Sequence, residues 1–391
     1  MIARIFWICV LLILLPDIYI YRRFLRQTSA RWLKVLWWGQ TLVMLAWAWL
    51  LSRMPGFIPD DVTPLYAFLL VMGVYLVPKF FFMIFRSLGH PFRRFTPGGR
   101  NWGGYAGVAF GAFLAYVTLY GSFRGFNELE VRRVDFYSAD LPPAFDGYRI
   151  ALWSDAHVGS YTSFRKPVLS AAVDSLNAMD ADVVFFLGDL QNTGPGEIAE
   201  HVPVLSRLSS HGGVYSVLGN HDYSHYMGGT REEKMAAEAL TRKAERDLGW
   251  HLLLNENVVL RHGADSIALA GMEGNDGQGE DHGWGIYEKA LSGIPDGMFT
   301  ILLLHNPYFW RKYIVPFTKV PLTLSGHTHG GQVRVLGFSP TSLLYTEDDG
   351  LYEVNGLQLF VTHGLGALIP LRFGIPGEVV QLTLHKKPST P

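Results

Sequence analysis

Four long apolar stretches fill the first third of the chain, and short apolar runs alternating with amphipathic segments fill the rest. Val35 to Ser52 carries no charge and sets Trp37, Trp38, Trp47 and Trp49 among Leu, Val and Met. At about 1.5 Å per residue such a stretch makes one bilayer-spanning helix. Leu65 to Phe85, interrupted only by Pro78 and Lys79, and the uncharged Asn101 to Phe123 repeat the pattern. Ile5 to Tyr21 contains Pro16 and Asp17, with Arg4 ahead and Arg22 and Arg23 behind as snorkelling anchors. No small-residue cleavage site follows its apolar run, so it reads as a retained span rather than a removed leader. Arg22-Arg23-Phe24-Leu25 reads as an ordinary basic loop rather than a twin-arginine export signal.

From Tyr148 onward the period changes. Arg149 to Ser154, Asp182 to Leu187 and Val214 to Leu218 read as strands, separated by helices over Lys166 to Ala178 and Ile198 to Ser209, a βαβ organisation. Arg231 to Leu248 is a charged amphipathic helix ended by Gly249. Ile267 to Ala270, Phe299 to Leu304 and Leu322 to Leu324 follow as strands, then Tyr352 to Val361 with a hairpin turn at Asn355-Gly356. The segmentation expected is a membrane anchor over 1–123, a linker and first strand over 124–147, a soluble domain over 148–385 and a tail over 386–391.

Charge separates the same two parts. The chain has a formal net charge of −1, yet residues 1–123 hold 12 Lys and Arg against 3 Asp and Glu, leaving the remainder acidic and rich in His. The basic residues also orient the spans, because short positive loops stay cytoplasmic. Arg22, Arg23, Arg26, Arg31 and Lys34 follow the first segment and Arg86, Arg93, Arg94 and Arg100 the third, whereas Arg53, Asp60 and Asp61 lie between the second and third. Both termini, and everything after Arg124, are therefore expected outside the cytoplasm. One cysteine, Cys9, excludes a disulfide framework and any multi-cysteine metal cluster.

Five of the expected strands end in metal-ligand residue types: Asp155-Ala156-His157, Gly188-Asp189, Gly219-Asn220-His221-Asp222, Leu304-His305 and Gly326-His327-Thr328-His329. In open α/β sheets the carboxyl ends of the strands are where ligands bind. One His or Asp after a strand is commonly a turn residue or helix cap; five such endings in one chain are not explained that way. A set of Asp, His and Asn without thiolate suits Mn²⁺, Fe or Zn²⁺, and it is large enough for two divalent ions. Two ions about 3.5–4 Å apart clamp the attacking and leaving oxygens of an in-line displacement, for which phosphoester hydrolysis is the natural reaction.

The ordered set, with His329 continuing into Gly330-Gly331-Gln332 and a tail of Gly364-Leu365-Gly366, Pro370, Arg372, Pro376 and Glu378, resembles the calcineurin-like metallophosphoesterases, in particular their membrane-associated bacterial branch. The resemblance implies a four-layer αββα sandwich, here preceded by an all-α transmembrane region of about four helices. It implies that Asp155, His157 and His329 hold one metal, that Asn220, His305 and His327 hold the other, and that Asp189 bridges them. His221 would stabilise the pentacoordinate phosphorus or protonate the leaving oxygen, with Asp222 orienting its ring. Many members continue Gly-Asp-x-x-Asp where this chain has Asn192, which bears on metal affinity through the residues behind the ligands.

Arg372 is a candidate for pairing with a substrate phosphate, against a structural ion pair. His225 and His282 read as loop residues, His363 belongs to the family-like tail, and Trp284, Phe309 and Trp310 read as core more than as a grip on lipid or base. The expected function is a membrane-anchored two-metal phosphoesterase acting on a phosphomono- or diester. The bilayer is its expected partner and a lipid-linked phosphate its favoured substrate; no nucleic-acid partner is expected, and the oligomeric state is not readable. Two rivals stand beside it. One is a cytoplasmic-facing pyrophosphatase of a nucleotide-linked lipid precursor such as UDP-diacylglucosamine. The other is a membrane receptor that uses the metal fold only to bind.

Overall fold

The computed structural model describes residues 1–387 apart from 55, 57, 60 and 274–283, so His282 and Asp60 lie outside the described residues, as does the side chain of Trp284. The chain divides into two units, Met1–Arg124 with Met227–Gly229, and Gly125–Tyr226 with Thr230–Pro391.

Among the described residues four helices are long and apolar enough to cross a membrane: α1 (Ile2–Leu25), α2 (Arg31–Ser52), α3 (Thr63–Gly89) and α4 (Trp102–Asn127), all of the first unit but for the last residues of α4. The charge inside the first apolar segment has a partner. Asp17 is fully buried; its Oδ1 lies 2.6 Å from Lys79 Nζ of α3, and its Oδ2 accepts from Gln40 Nε2 and Thr41 Oγ1 of α2, each at 2.7 Å. A carboxylate that would be costly alone in hydrocarbon is thus neutralised by Lys79 of α3 and hydrogen-bonded by α2. Helix α4 lies close to α3 through small residues. A Cβ at Gly107 would sit 2.9 Å from Phe82 Cα and one at Gly111 3.1 Å from Pro78 Cβ, the close backbone approach that small-residue spacing allows between membrane helices.

The second unit contains strands β1 (Leu129–Ser138), β2 (Arg149–Trp153), β3 (Val183–Phe186), β4 (Val214–Ser216), β5 (His251–Leu252), β6 (Glu256–His262), β7 (Asp265–Met272), β8 (Thr300–Leu304), β9 (Leu322–Ser325), β10 (Gly350–Val354), β11 (Leu357–Val361) and β12 (Gly377–Lys386). Its helices are α5 (Lys166–Ala178), α6 (Gly196–Leu205), α7 (Arg231–Asp247) and α8 (Trp284–Leu291). Two six-stranded sheets form, ordered β1-β12-β2-β3-β4-β5 and β10-β11-β9-β8-β7-β6.

Side-chain alternation along the strands builds the layers. Ile150, Leu152, Val183 and Phe185 of one sheet pack with Ile301, Leu303, Leu322 and Leu324 of the other in a core between them. The opposite faces turn outward. Ala151, Trp153, Val184 and Phe186 pack on Leu169, Val173 and Leu176 of α5, while Leu302, Leu304, Leu359 and Val361 pack on Tyr287, Trp310 and Ile314. The result is the αββα order that the resemblance implied. Three strands were not anticipated, β5, β6 and β12; the last pairs in parallel with β1 over the full length of both, Leu129 opposite Gly377 to Ser138 opposite Lys386, and antiparallel with β2.

Candidate metal centre

Strands β2, β3 and β4 run parallel in one sheet, and β7, β8 and β9 run parallel in the other. The loops that leave their carboxyl ends carry all the polar endings found in the sequence and bring them together. Asp155, His157 and His329 place ligand atoms within 4.8 Å of one another, as do Asp189, His305 and His327, and His157, Asp189 and His221. Five of these residues have left-handed backbones: Asp155 (φ 52°), His157 (47°), Asp189 (60°), His327 (75°) and His329 (53°). Non-glycine residues in that region cost about 1–3 kcal/mol each and concentrate at functional sites. Here they are held by neighbouring strand ends, with the Asp155 N–H donating to Gly188 O at 2.9 Å and the His157 N–H to Asp189 O at 3.0 Å. Gly326 serves close approach rather than a turn, since a Cβ there would overlap the Asp155 carboxylate and lie 2.8 Å from Ser154 Cβ.

Hydrogen bonds behind the ring nitrogens decide which lone pairs face the centre. His157 Nδ1 lies 2.9 Å from Asn192 Oδ1, His305 Nδ1 2.7 Å from Leu187 O, and His329 Nδ1 3.2 Å from Gly366 O. An oxygen acceptor requires the proton on Nδ1, leaving Nε2 free to ligate, the usual arrangement behind metal-bound histidines. His157 Nε2 and Asn220 Oδ1 are buried without a hydrogen-bond partner, while Asn220 Nδ2 donates to Tyr226 Oη at 3.1 Å. Asp189 Oδ2 lies 3.6 Å from His157 Nε2 and 3.3 Å from His305 Nε2, and His305 Nε2 lies 3.3 Å from His327 Nδ1. Inward-facing lone pairs around shared carboxylates, with two orphaned polar atoms, fit divalent cations.

The electrostatics agree. Burial, with the His305 cation, pushes His327 down to about 3, and burial, with Arg372, pushes His329 down to about 3, so both rings present neutral nitrogens. Burial opposes the Asp189 charge, but His305 and His221 outweigh it and hold the carboxyl well below its usual range. His305 goes the other way: burial disfavours its cation, yet the charges of Asp189 and Asp155 raise it to about 9. A metal held by His305 would have to displace that proton, so its loading would weaken as pH falls.

Two expected roles change. Asp222 does not orient His221. Its Oδ2 accepts the N–H groups of Asp189 (2.7 Å) and Gly219 (2.9 Å), and its Oδ1 those of Leu190 (2.9 Å) and Gln191 (3.3 Å); it staples the Asp189 and Asn220 loops together. His221 instead sets Nδ1 2.6 Å from Asn192 O and stacks on Tyr226 at 4.3 Å. Arg372 is neither a surface phosphate clamp nor one half of a simple ion pair. It is fully buried, with Nη2 donating to the carbonyls of His363, Gly364 and Gly366 at 2.7–3.0 Å and Nη1 to Pro376 O at 3.3 Å, which ties the tail loop beneath His329.

Among the other residues weighed, Phe309 and Trp310 are buried in the outer core of the second sheet. His225 is half-buried and its ring stacks with Tyr223. His363 joins Asp349 and Glu378, its Nδ1 3.2 and 3.3 Å from their carboxylates; Arg132 and Arg334 also pair with Asp349, each at 2.9 Å. Two arginines already neutralise that cluster. The sequence reading missed Tyr226 and Tyr345, whose Oη lies 3.4 Å from His327 Nε2. Tyr226 follows Gly219-Asn220-His221-Asp222 closely enough to have been noticed, whereas nothing local marks Tyr345.

Comparison with known proteins agrees with this architecture. Residues 3–126 match the family model described as "Probable Calcineurin-like phosphoesterase, transmembrane domain", and residues 148–331 match "Calcineurin-like phosphoesterase". An uncharacterized metallophosphoesterase of Bacillus subtilis, YkuE, is 31% identical over 259 residues, covering 63% of this chain and 82% of that one. A transmembrane protein with metallophosphoesterase domain from Bos taurus is 32% identical over 259 residues, covering 63% of this chain and 55% of that one. An uncharacterized metallophosphoesterase of Helicobacter pylori is 31% identical over 279 residues, covering 70% of each. The chain therefore belongs to the calcineurin-like phosphoesterases, as a metallophosphoesterase domain joined to a transmembrane region.

Proposed function

We propose that this protein is a membrane-anchored phosphoesterase, residues 1–123 forming the anchor and 148–385 the catalytic domain, which acts on a phosphomono- or diester borne by a lipid on the extracytoplasmic side. The observation that carries the reading is the convergence of three ligand groups on Asp189 and His157. Asp155, His157 and His329 would hold one divalent ion and Asn220, His305 and His327 the other, with Asp189 shared. When bound, the ions supply Lewis acidity and an activated water for displacement at phosphorus. Mn²⁺, Fe and Zn²⁺ all suit the donor set.

The chain's own part is positioning and proton handling. With its Nδ1–H donating to the Asn192 carbonyl, His221 turns Nε2 to the reacting phosphoryl group and acts as the imidazolium, whose second proton, on Nε2, goes to the leaving oxygen or makes a hydrogen bond to the equatorial oxygens. Asp222 keeps the Asp189 and Asn220 loops in register. A protein that only bound metal would have no chemical use for such a proton donor.

The test loads purified protein with Mn²⁺, Fe²⁺ or Zn²⁺ and measures hydrolysis of bis(p-nitrophenyl) phosphate and p-nitrophenyl phosphate. Asp189→Ala removes the shared carboxylate and is expected to be inert, with metal content well below two per chain. Two tightly held ions in that variant would overturn the ligand assignment.

A further inference from the structure

The loop that follows Gly330-Gly331-Gln332 has a composition the metal centre does not use. Residues 335–346, VLGFSPTSLLYT, contain no charge and are bounded by Arg334 and Glu347. Leu336 is fully exposed, Leu344 82% and Leu343 76% exposed, with Phe338 also open. Those three leucines are more exposed than any large apolar side chain on the four candidate membrane helices. Scattered apolar residues on a surface are ordinary; several gathered in one loop mark a contact.

Two features show that the loop is built to present them. Its base is fixed: buried Ser339 donates to Gly330 O at 2.8 Å, and Tyr345 reaches His327. Its tip is a two-residue hairpin turn in which Val335 and Phe338 exchange backbone bonds of 2.9 and 3.0 Å, with Leu336 (φ 51°) and Gly337 (φ 83°) both left-handed. Asn, Asp or Gly is favoured at the first of these positions. A leucine there carries backbone strain and buries nothing, so folding gives no reason for it.

We propose that this loop docks on a lipid surface, with Leu336, Phe338, Leu343 and Leu344 entering the bilayer of the membrane that the chain itself spans. The occupant follows from the chain. Its first strand begins at Leu129, immediately after a candidate membrane helix ending at Asn127, so a bilayer is the apolar phase always within covalent reach. An uncharged, rigidly based loop with leucines at its tip suits the interface between headgroups and acyl chains. The inference rests on the membrane-anchored reading above and deepens it, because it puts the rim of the metal centre, through Tyr345, at the depth of lipid phosphates.

Full-length protein carrying Cys9→Ser, which removes the single native thiol, and Leu344→Cys is labelled with an environment-sensitive fluorophore. It is then reconstituted into phosphatidylcholine–phosphatidylglycerol vesicles containing doxyl-labelled acyl chains. Asp296→Cys, at an exposed polar position, is the comparison site, and Leu336→Cys the second probe of the loop. Docking predicts quenching by the doxyl lipid severalfold stronger at 344 and 336 than at 296, and aqueous iodide quenching in the reverse order. Iodide quenching at 344 and 336 equal to that at 296 overturns the proposal, and so does protection from both quenchers, which would place a protein surface or a second copy over the loop. The same labelled samples, loaded with Mn²⁺, are assayed with bis(p-nitrophenyl) phosphate and p-nitrophenyl phosphate. Active protein without lipid quenching overturns the docking alone, and lipid quenching of inert protein overturns the phosphoesterase reading alone.

Discussion

His221 Nδ1 lies 2.6 Å from the backbone carbonyl of Asn192, and a carbonyl can only accept, so Nδ1 carries a proton and Nε2 is the ring nitrogen left for another partner. The orienting partner is main chain, three residues beyond Asp189, the carboxylate proposed to be shared. The histidine proposed to handle the proton and the proposed metal cradle are therefore positioned by the same loop.

His221→Ala separates chemistry from binding. Both metals are expected to remain while kcat falls by about 10²–10⁴, the range for a positioned acid or base. Metal analysis alongside steady-state kinetics reads this directly, and a near-normal kcat would show that metal and solvent suffice.

Asp222→Asn tests the staple. Burial and the charge of Asp189 push the Asp222 carboxyl up to about 7, while the N–H groups of Gly219 and Gln191 pull it down. An amide would turn two hydrogens toward N–H donors, at a cost of about 2–4 kcal/mol. Denaturant melts should show that loss, and metal affinity should fall as the Asp189 and Asn220 loops separate. A variant with normal stability and metal content but low kcat would restore the orienting role to Asp222.

Asn192→Ala removes the acceptor that sets the His157 tautomer. Metal affinity is expected to drop about 10–100-fold, as for other partners behind metal-bound histidines. At saturating metal, turnover should largely recover. Titration calorimetry with Mn²⁺ gives the affinity, and an unchanged value would mean that His157 does not ligate.

The pair Asp17–Lys79 predicts non-additivity. Breaking a buried pair by removing one member costs about 3–5 kcal/mol, whereas replacing both with apolar residues is often neutral. Asp17→Leu and Lys79→Leu should each destabilise the anchor in bicelles, and the double variant should recover most of the loss. If the double variant is as unstable as the sum of the singles, the pair is not what holds α1 to α3.

Orientation decides which phosphoesters the site meets. The Lys and Arg in the loops after the first and third spans are the ground for the proposal that the C-terminus lies outside the cytoplasm. Alkaline phosphatase fused after Pro391 should be active and green fluorescent protein dark. The opposite pattern would favour a cytoplasmic hydrolase of a nucleotide-linked lipid precursor.

The sequence by itself determined the membrane helices, most strands and the polar endings after five of them, because apolar periodicity and residue type are local properties. β12 went unread although Val380, Leu382 and Leu384 alternate with Gln381, Thr383 and His385, and its pairing with β1 leaves no local mark. What only the tertiary structure decided is which atoms meet. Asn192 stands behind His157 from 35 residues away, Asp222 reaches the Asp189 N–H across 33, and Lys79 neutralises Asp17 across 62. Motif order names Asp222 and Arg372 as working residues; burial and a ring of backbone donors or carbonyls make them braces. A polar side chain's role depends on whether its partner is main chain, solvent or substrate, and that partner is supplied by distant segments that come together only when strands pair and helices pack.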